Sequence, residues 1–148
     1  MAMPAKILQD MERHRKLFDL SEGNLGKDLC KAATDGVQEC IAREESPDGK
    51  RWDDLSPKYA EWKAFQFPGE PVGVLHKTMA DPHEVAGLVD VAESWAEVTY
   101  GRSDQARAEA EWFQDPKNPN QPPRKFWGFT AESLKAVREI LDARFRTA

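Results

Sequence analysis

The sequence predicts an α+β domain, an antiparallel β-hairpin flanked by α-helices, and three observations predict it. Apolar residues recur at spacings of three to four over residues 4–45 and again over 130–146, which is the 3.6-residue period of helices. Between residues 85 and 100 the pattern changes to alternation, the period of a half-buried strand. The elements run helix, helix, hairpin, helix, without the strand–helix alternation of a parallel sheet. With 148 residues, one domain over 1–148 is expected, because a single core of this size buries roughly 70% of the unfolded chain's surface.

Taken in order, Ile7, Leu8, Met11, Leu17 and Phe18 predict an amphipathic N-terminal helix within residues 1–20, polar on its outer face. Ser21-Glu22-Gly23-Asn24 breaks it. Leu25, Leu29, Ala33, Val37, Cys40 and Ile41 then mark a second helix running to about residue 45. Gly36 weakens that helix by about 1 kcal/mol relative to alanine and suits close packing against a neighbour. Ser46-Pro47-Asp48-Gly49 ends it, proline setting φ and Asp-Gly favouring a tight reversal. Ser56-Pro57 predicts a cap and first helical residue for a short helix over 57–64, with Tyr59, Trp62 and Lys63 within one turn.

Pro68-Gly69-Glu70-Pro71 closes that segment, and residues 75–85 fit a short helix or a loop equally. Residues 85–91 and 95–100 are expected as strands, Ala96, Val98 and Tyr100 alternating with Trp95, Glu97 and Thr99. Ala92-Glu93-Ser94 is short enough to be their hairpin loop. Residues 103–114 favour a helix with Ser103 or Asp104 as cap. Residues 115–124 hold four prolines and two asparagines, a composition suited only to a long surface loop. Thr130 caps the last helix, whose apolar stripe is Leu134, Val137, Leu141 and Phe145, flanked by Ile140.

The apolar fraction of 40% and charged fraction of 32% are those of a soluble globular protein. No apolar run reaches the roughly 18 residues a membrane span needs, and Met1-Ala2-Met3-Pro4 lacks the basic start and apolar core of a secretion signal. Assembly in the cytoplasm is expected. A net charge of −5, with Lys and Arg scattered among acids, argues against a protein that grips nucleic acid. Cys30 and Cys40 on one helix would sit about 15 Å apart, beyond the roughly 7 Å a disulfide allows, so both are expected as buried thiols.

Nothing in the chain converges on a reaction. His14, His76 and His83 lack the spacing of a metal site. Glu44, Glu45, Asp48, Asp53 and Asp54 lack the alternating register of a calcium loop and enclose Lys50 and Arg51. No nucleophile elbow, phosphate-cradling loop or dinucleotide fingerprint is present. No catalytic residue, metal or cofactor is therefore expected. Of the five tryptophans, Trp52 and Trp62 are expected in or beside the core. Trp112 and Trp127 flank the proline-rich loop, and with Phe113, Pro122 and Pro123 they form the candidate interface.

Three stretches carry a family likeness. Glu45-Ser46-Pro47-Asp48-Gly49-Lys50-Arg51-Trp52-Asp53-Asp54-Leu55-Ser56-Pro57-Lys58-Tyr59 has a helix running into a Ser-Pro-Asp-Gly turn, then tryptophan, then a Leu-Ser-Pro step. Val74-Leu75-His76-Lys77-Thr78-Met79 precedes the expected strands, and Pro122-Pro123-Arg124-Lys125-Phe126-Trp127-Gly128-Phe129-Thr130 precedes the last helix. In this order they resemble the phage virion morphogenesis family, the tail completion proteins of Mu-like tailed phages, from about Leu25 onward. Met79 stands where the family has glycine, and the polar stretch 103–114 replaces a further family element.

The matching residues look architectural. Pro47, Asp48 and Gly49 make the turn, Trp52 would lock it onto the core, and Leu55 and Pro57 lead into the next helix. Arg124 and Phe126 would fix the approach to the last helix, with Gly128 permitting a close contact.

The resemblance implies a structural protein of the virion tail or neck. It implies a homo-oligomeric ring, a hexamer, at the head-proximal end of the tail. Tail tube, sheath or terminator proteins would be partners on one side and head–tail connector proteins on the other. DNA would at most pass through the lumen, and no membrane partner is implied. A head-side neck ring, a transient assembly factor and an unrelated intracellular binding module are the alternatives.

Overall fold

The computed structural model describes residues 4–70, 88–99, 101, 103–117 and 121–146. Within them it is a mixed structure of five α-helices and a two-stranded antiparallel sheet. Helix α1 spans Ala5–Leu17, with His14, Arg15 and Lys16 favourably placed in its last turn. An Asp19 carboxylate accepts from the Ser21 backbone N–H at 2.9 Å and organises the link to α2.

Helix α2, Leu25–Arg43, is the centre of the molecule. Its buried positions include Leu25, Cys30, Val37, Cys40 and Ile41, so the apolar stripe predicted for it faces inward. It packs against both the last helix and the hairpin. Gly36 makes the first contact close: an added Cβ there would lie 3.0 Å from Ser133 Cβ. Both cysteines are buried and free.

Helix α3, Pro57–Gln66, starts with proline as its first residue, where a missing N–H costs nothing. Strand β1, Leu88–Val91, pairs with β2, Ala96–Thr99, in the register Val91↔Ala96 to Leu88↔Thr99. Ala92 donates its N–H to the Trp95 carbonyl at 2.8 Å. Trp95, expected in the second strand, thus belongs to the turn and is exposed. Helix α4, Asp104–Gln114, is capped by Ser103, whose hydroxyl accepts from Ala106 N–H.

Helix α5, Ala131–Arg146, begins with a reciprocal cap. Ser133 N–H donates to Thr130 Oγ1 at 3.0 Å, and Thr130 N–H donates to Ser133 Oγ at 2.7 Å. This is the capping-box arrangement with serine in the place of the usual Glu or Gln.

The core joins Val37, Cys40 and Ile41 of α2 to Trp52, to Ala106, Ala110 and Phe113 of α4, and to Phe126. Three expectations are corrected here. None of the α1 residues is buried, so Ile7, Leu8 and Met11 do not face a core of this chain. The α5 stripe is only partly covered, with Leu134 and Phe145 exposed and Ser133 its buried residue. Trp62 is 45% exposed, stacked on Tyr59, while the neighbouring Lys63 is the buried residue of α3. Residues 71–87, with the Val74–Met79 stretch, His76 and His83, lie outside the described residues, as do Tyr100 and 118–120 of the proline-rich loop.

No helix among the described residues is long and apolar enough to cross a membrane.

Candidate functional site

The turn after α2 is built by local hydrogen bonds. Glu44 ends the helix in the left-handed region, its N–H bonding back to the last turn. Ser46 N–H donates to Lys50 O at 2.8 Å, and Gly49 N–H to Ser46 O at 2.9 Å. Asp48 Oδ1 accepts from Lys50 N–H at 3.1 Å. Gly49 carries φ +84°, a conformation that a side chain disfavours. Glu45 and Arg51 then form a one-pair antiparallel bridge that delivers Trp52 to the core.

Trp52 is where the two distant motif stretches meet. Its indole Nε1 donates to Lys125 O at 2.8 Å, and its ring meets Phe113 edge-on at 5.1 Å. Phe126 is fully buried beside Phe113. Arg124 is 2% exposed, and its guanidinium donates to Asp53 O through Nε (3.1 Å) and Nη2 (3.0 Å), and to Asp54 O at 3.2 Å. It also lies 5.8 Å above the Phe113 ring, within reach of a cation–π attraction. Burial pulls Arg124 below the ordinary guanidinium value, opposed by the Asp53, Asp54 and Glu44 carboxylates. An added Cβ at Gly128 would lie 3.0 Å from Pro47, so the second stretch closes directly over the turn of the first.

Pro47, Asp48, Gly49, Trp52, Arg124, Phe126 and Gly128 therefore share one junction. Leu55 is half-buried and Pro57 starts α3.

The candidate interface divides. Trp112 and Trp127 are exposed at 47% and 39%, and Pro123 is exposed beside a half-buried Pro122. Phe113 is corrected: it is 8% exposed and belongs to the core. Phe113 lies on the face of α4 that packs against Trp52 and Phe126, and Trp112, turned about 100° from it, falls on the exposed side.

Beside the junction, and sharing Gly128 with it, lies an apolar groove of about 420 Å³ between α2, β2 and α5. Leu29, Ala33 and Val98 line it, and the exposed Trp127, Phe129 and Leu134 form its rim. Leu134 also borders a second depression, which gathers Glu39, Glu45, Asp48 and Glu132 around Arg43. Arg43 reaches Glu39 at 3.7 Å and Glu132 at 3.9 Å.

Two roles are not predicted from the sequence: Phe129 at the rim of the groove, and the burial of Lys63, which the sequence places only within one turn of Tyr59 and Trp62. The run Phe126-Trp127-Gly128-Phe129 offered a signal for the first, since three large rings so close cannot all enter one core. Lys63 gave none, because lysine is among the residues least often buried. Among the described residues no group of three or more His, Cys, Asp or Glu side chains converges as a metal site.

Compared with known proteins, the chain matches no family profile, no curated protein sequence and no solved structure.

Proposed function

We propose that this chain is a structural assembly protein of a tailed-phage virion. In this reading it forms a ring at the head-proximal end of the tail, stops growth of the tail tube and joins the tail to the head. The observation that carries the reading is the interlocking of the Pro47–Trp52 turn with Arg124, Phe126 and Gly128. These are the residues on which the likeness to the virion morphogenesis family rests, and they come together as one architectural unit. Their polar groups are engaged in holding backbone: Arg124 on two carbonyls, Trp52 on one, Asp48 on its own turn.

A ring that ends a tube needs a face matching the tube and a second face for the head. Trp112 and Trp127, exposed at either root of the proline-rich loop, suit the head-facing contact, since such residues anchor interfaces. Strand pairing between neighbours is a further route to ring closure, because among the described residues the sheet has two strands and each has an edge that could pair.

Deleting the gene from the phage genome that encodes it, and imaging the lysate by electron microscopy, tests the proposal. Full heads beside unattached or overlong tails are expected. Normal, infectious particles would overturn the assembly role. Trp112→Ala with Trp127→Ala is expected to block head–tail joining while circular dichroism stays native.

A further inference from the structure

We propose that α1 is an arm held by a latch of Arg144, Phe145 and Glu93, and that on release it swings as an intact helix about Gly23 and Asn24. This goes beyond the assembly reading and does not depend on it.

The joint is built for two directions. Between α1 and α2 lies one 3-10 turn, Glu22–Asn24. Phe18, Ser21 and Leu25 keep right-handed backbone angles, whereas Gly23 and Asn24 stand in the left-handed region at φ +58° and +60°. Glycine and asparagine are the residues that enter that region most readily. Returning these two to right-handed angles extends α2 backward into the turn and redirects everything before it. No proline lies between Ala5 and Ser46, so one helix over residues 5–43, about 58 Å long, is open to the chain. A few residues at an element's end that absorb a large change in φ and ψ are what a hinge consists of.

The latch sits beside that joint. Arg144 Nη2 donates to the Lys16 carbonyl at 2.9 Å, at the end of α1. An added Cβ at Gly23 would lie 2.7 Å from Arg144 Nη1, so the same guanidinium rests against the joint. Phe18 meets Phe145 with ring centroids 5.6 Å apart. Arg15 pairs with Glu93 of the hairpin turn, whose carbonyl also accepts from Leu20 N–H at 2.9 Å.

The rest of α1 is a lever. Among the described residues, none from Ala5 to His14 makes a hydrogen bond, ion pair or ring contact beyond α1 and Pro4. None of the α1 residues is buried. Its 13 residues span about 20 Å, so a small change at the joint carries Lys6 through a wide arc. Because Arg144 touches both the end of α1 and the joint, latch and hinge open together.

Pulsed electron paramagnetic resonance tests this on the full chain. Spin labels on Lys6→Cys and, in turn, on Lys135→Cys or Glu111→Cys report arm-to-body distances from exposed positions. Cys30 and Cys40 are buried, and protein without the added cysteines is the labelling blank. Dilution into unlabelled protein restricts the reading to distances within one copy. Wild type is expected to give one distance for each pair.

Gly23→Ala with Asn24→Ala attacks the joint, since alanine is less favourable left-handed and more favourable in a helix than the residues it replaces. Arg144→Met with Phe145→Ala attacks the latch. Each substitution is expected to shift the balance toward the swung state by about ten-fold. The readout is a second distance, differing by roughly 10 Å or more for at least one label pair, with helix content by circular dichroism undiminished. Asn24→Gly, which eases the left-handed state, is expected to keep the wild-type distances. Should a double variant fail to unfold cooperatively in urea, Asn24→Ala or Arg144→Met alone takes its place.

Wild-type distances in both kinds of variant overturn the proposal. A second distance in only one kind overturns the coupling of latch and hinge. Broadened distances with lost helix content mean that α1 unfolds and does not swing. Two distances already in wild type mean that the latch does not hold.

Discussion

At the junction of Trp52, Arg124 and Phe126 each large side chain is enclosed. Phe126 is fully buried, the Trp52 indole is hydrogen-bonded, and the Arg124 charge rests on two carbonyls. Along α1 the same kinds of residue are arranged the other way. Ile7, Leu8 and Met11 face outward, and the helix's ion pairs, Arg15 with Glu12 and Glu93, are exposed. The junction gains its stability within one chain, through burial and satisfied polar groups. α1 gains little from its own body, since exposed ion pairs are worth only about 0–1 kcal/mol. An apolar stripe in a sequence therefore says that a surface is to be covered and leaves open whether the same copy covers it.

Substitutions should expose this contrast, the largest effect coming from the centre of the junction. Phe126→Ala is expected to cost about 3–5 kcal/mol in urea unfolding, because a fully buried ring leaves a cavity. A loss below about 1 kcal/mol would mean the junction is not a rigid part of the core. Arg124→Met should cost about 2–3 kcal/mol by stranding the carbonyls of Asp53 and Asp54. A variant as stable as wild type would reduce the arginine to a packing role.

Lys63 sharpens the contrast through pH. Burial in α3 pulls it below its ordinary value of 10.5, against the opposing carboxylates of Glu44 and Glu70. Between that lowered value and 10.5 the unfolded chain holds more protons than the folded one, so this residue's contribution to stability rises with pH across the window. Lys63→Met removes that dependence. Its urea midpoint relative to wild type should be highest near neutral pH and fall as pH climbs through the window. Cys40, pushed up to about 11 by burial, titrates in both proteins and cancels in the difference. A difference that does not change with pH would show that Lys63 is as well solvated folded as unfolded.

The smallest effect belongs to α1. Ile7→Glu with Met11→Glu should leave monomer stability within about 0.5 kcal/mol, as expected for surface positions. A loss of several kcal/mol in the monomer would place α1 in a core of its own chain and erase the contrast.

Much of the local structure was legible. Helical spacing located α2 and its buried face, and Ser-Pro-Asp-Gly located the turn, because turn chemistry depends on the residues that make it. Alternation located the hairpin, and among its described residues Trp95 departs from the expectation: its aromatic character suits a strand, yet its carbonyl closes the turn. The errors at Trp62 and Phe113 have one cause. Type alone makes both residues equally apt for a core or an interface, and their helices carry apolar residues on more than one face. Direction was set by what each helix met, the Trp52–Phe126 side for α4 and the Lys63 side for α3.

The sequence by itself determined the elements, their order and the turn chemistry, since propensity, capping and periodicity act over a few neighbouring residues. Only the tertiary structure decided that residues 45–59 close on 122–130, that Lys63 is buried while Trp62 is exposed, and that Ile7, Leu8 and Met11 of α1 are exposed. Those outcomes depend on contacts between residues far apart in sequence, up to 128 positions for Arg144 and Lys16, and burial is a property of the whole packed chain that no single stretch carries.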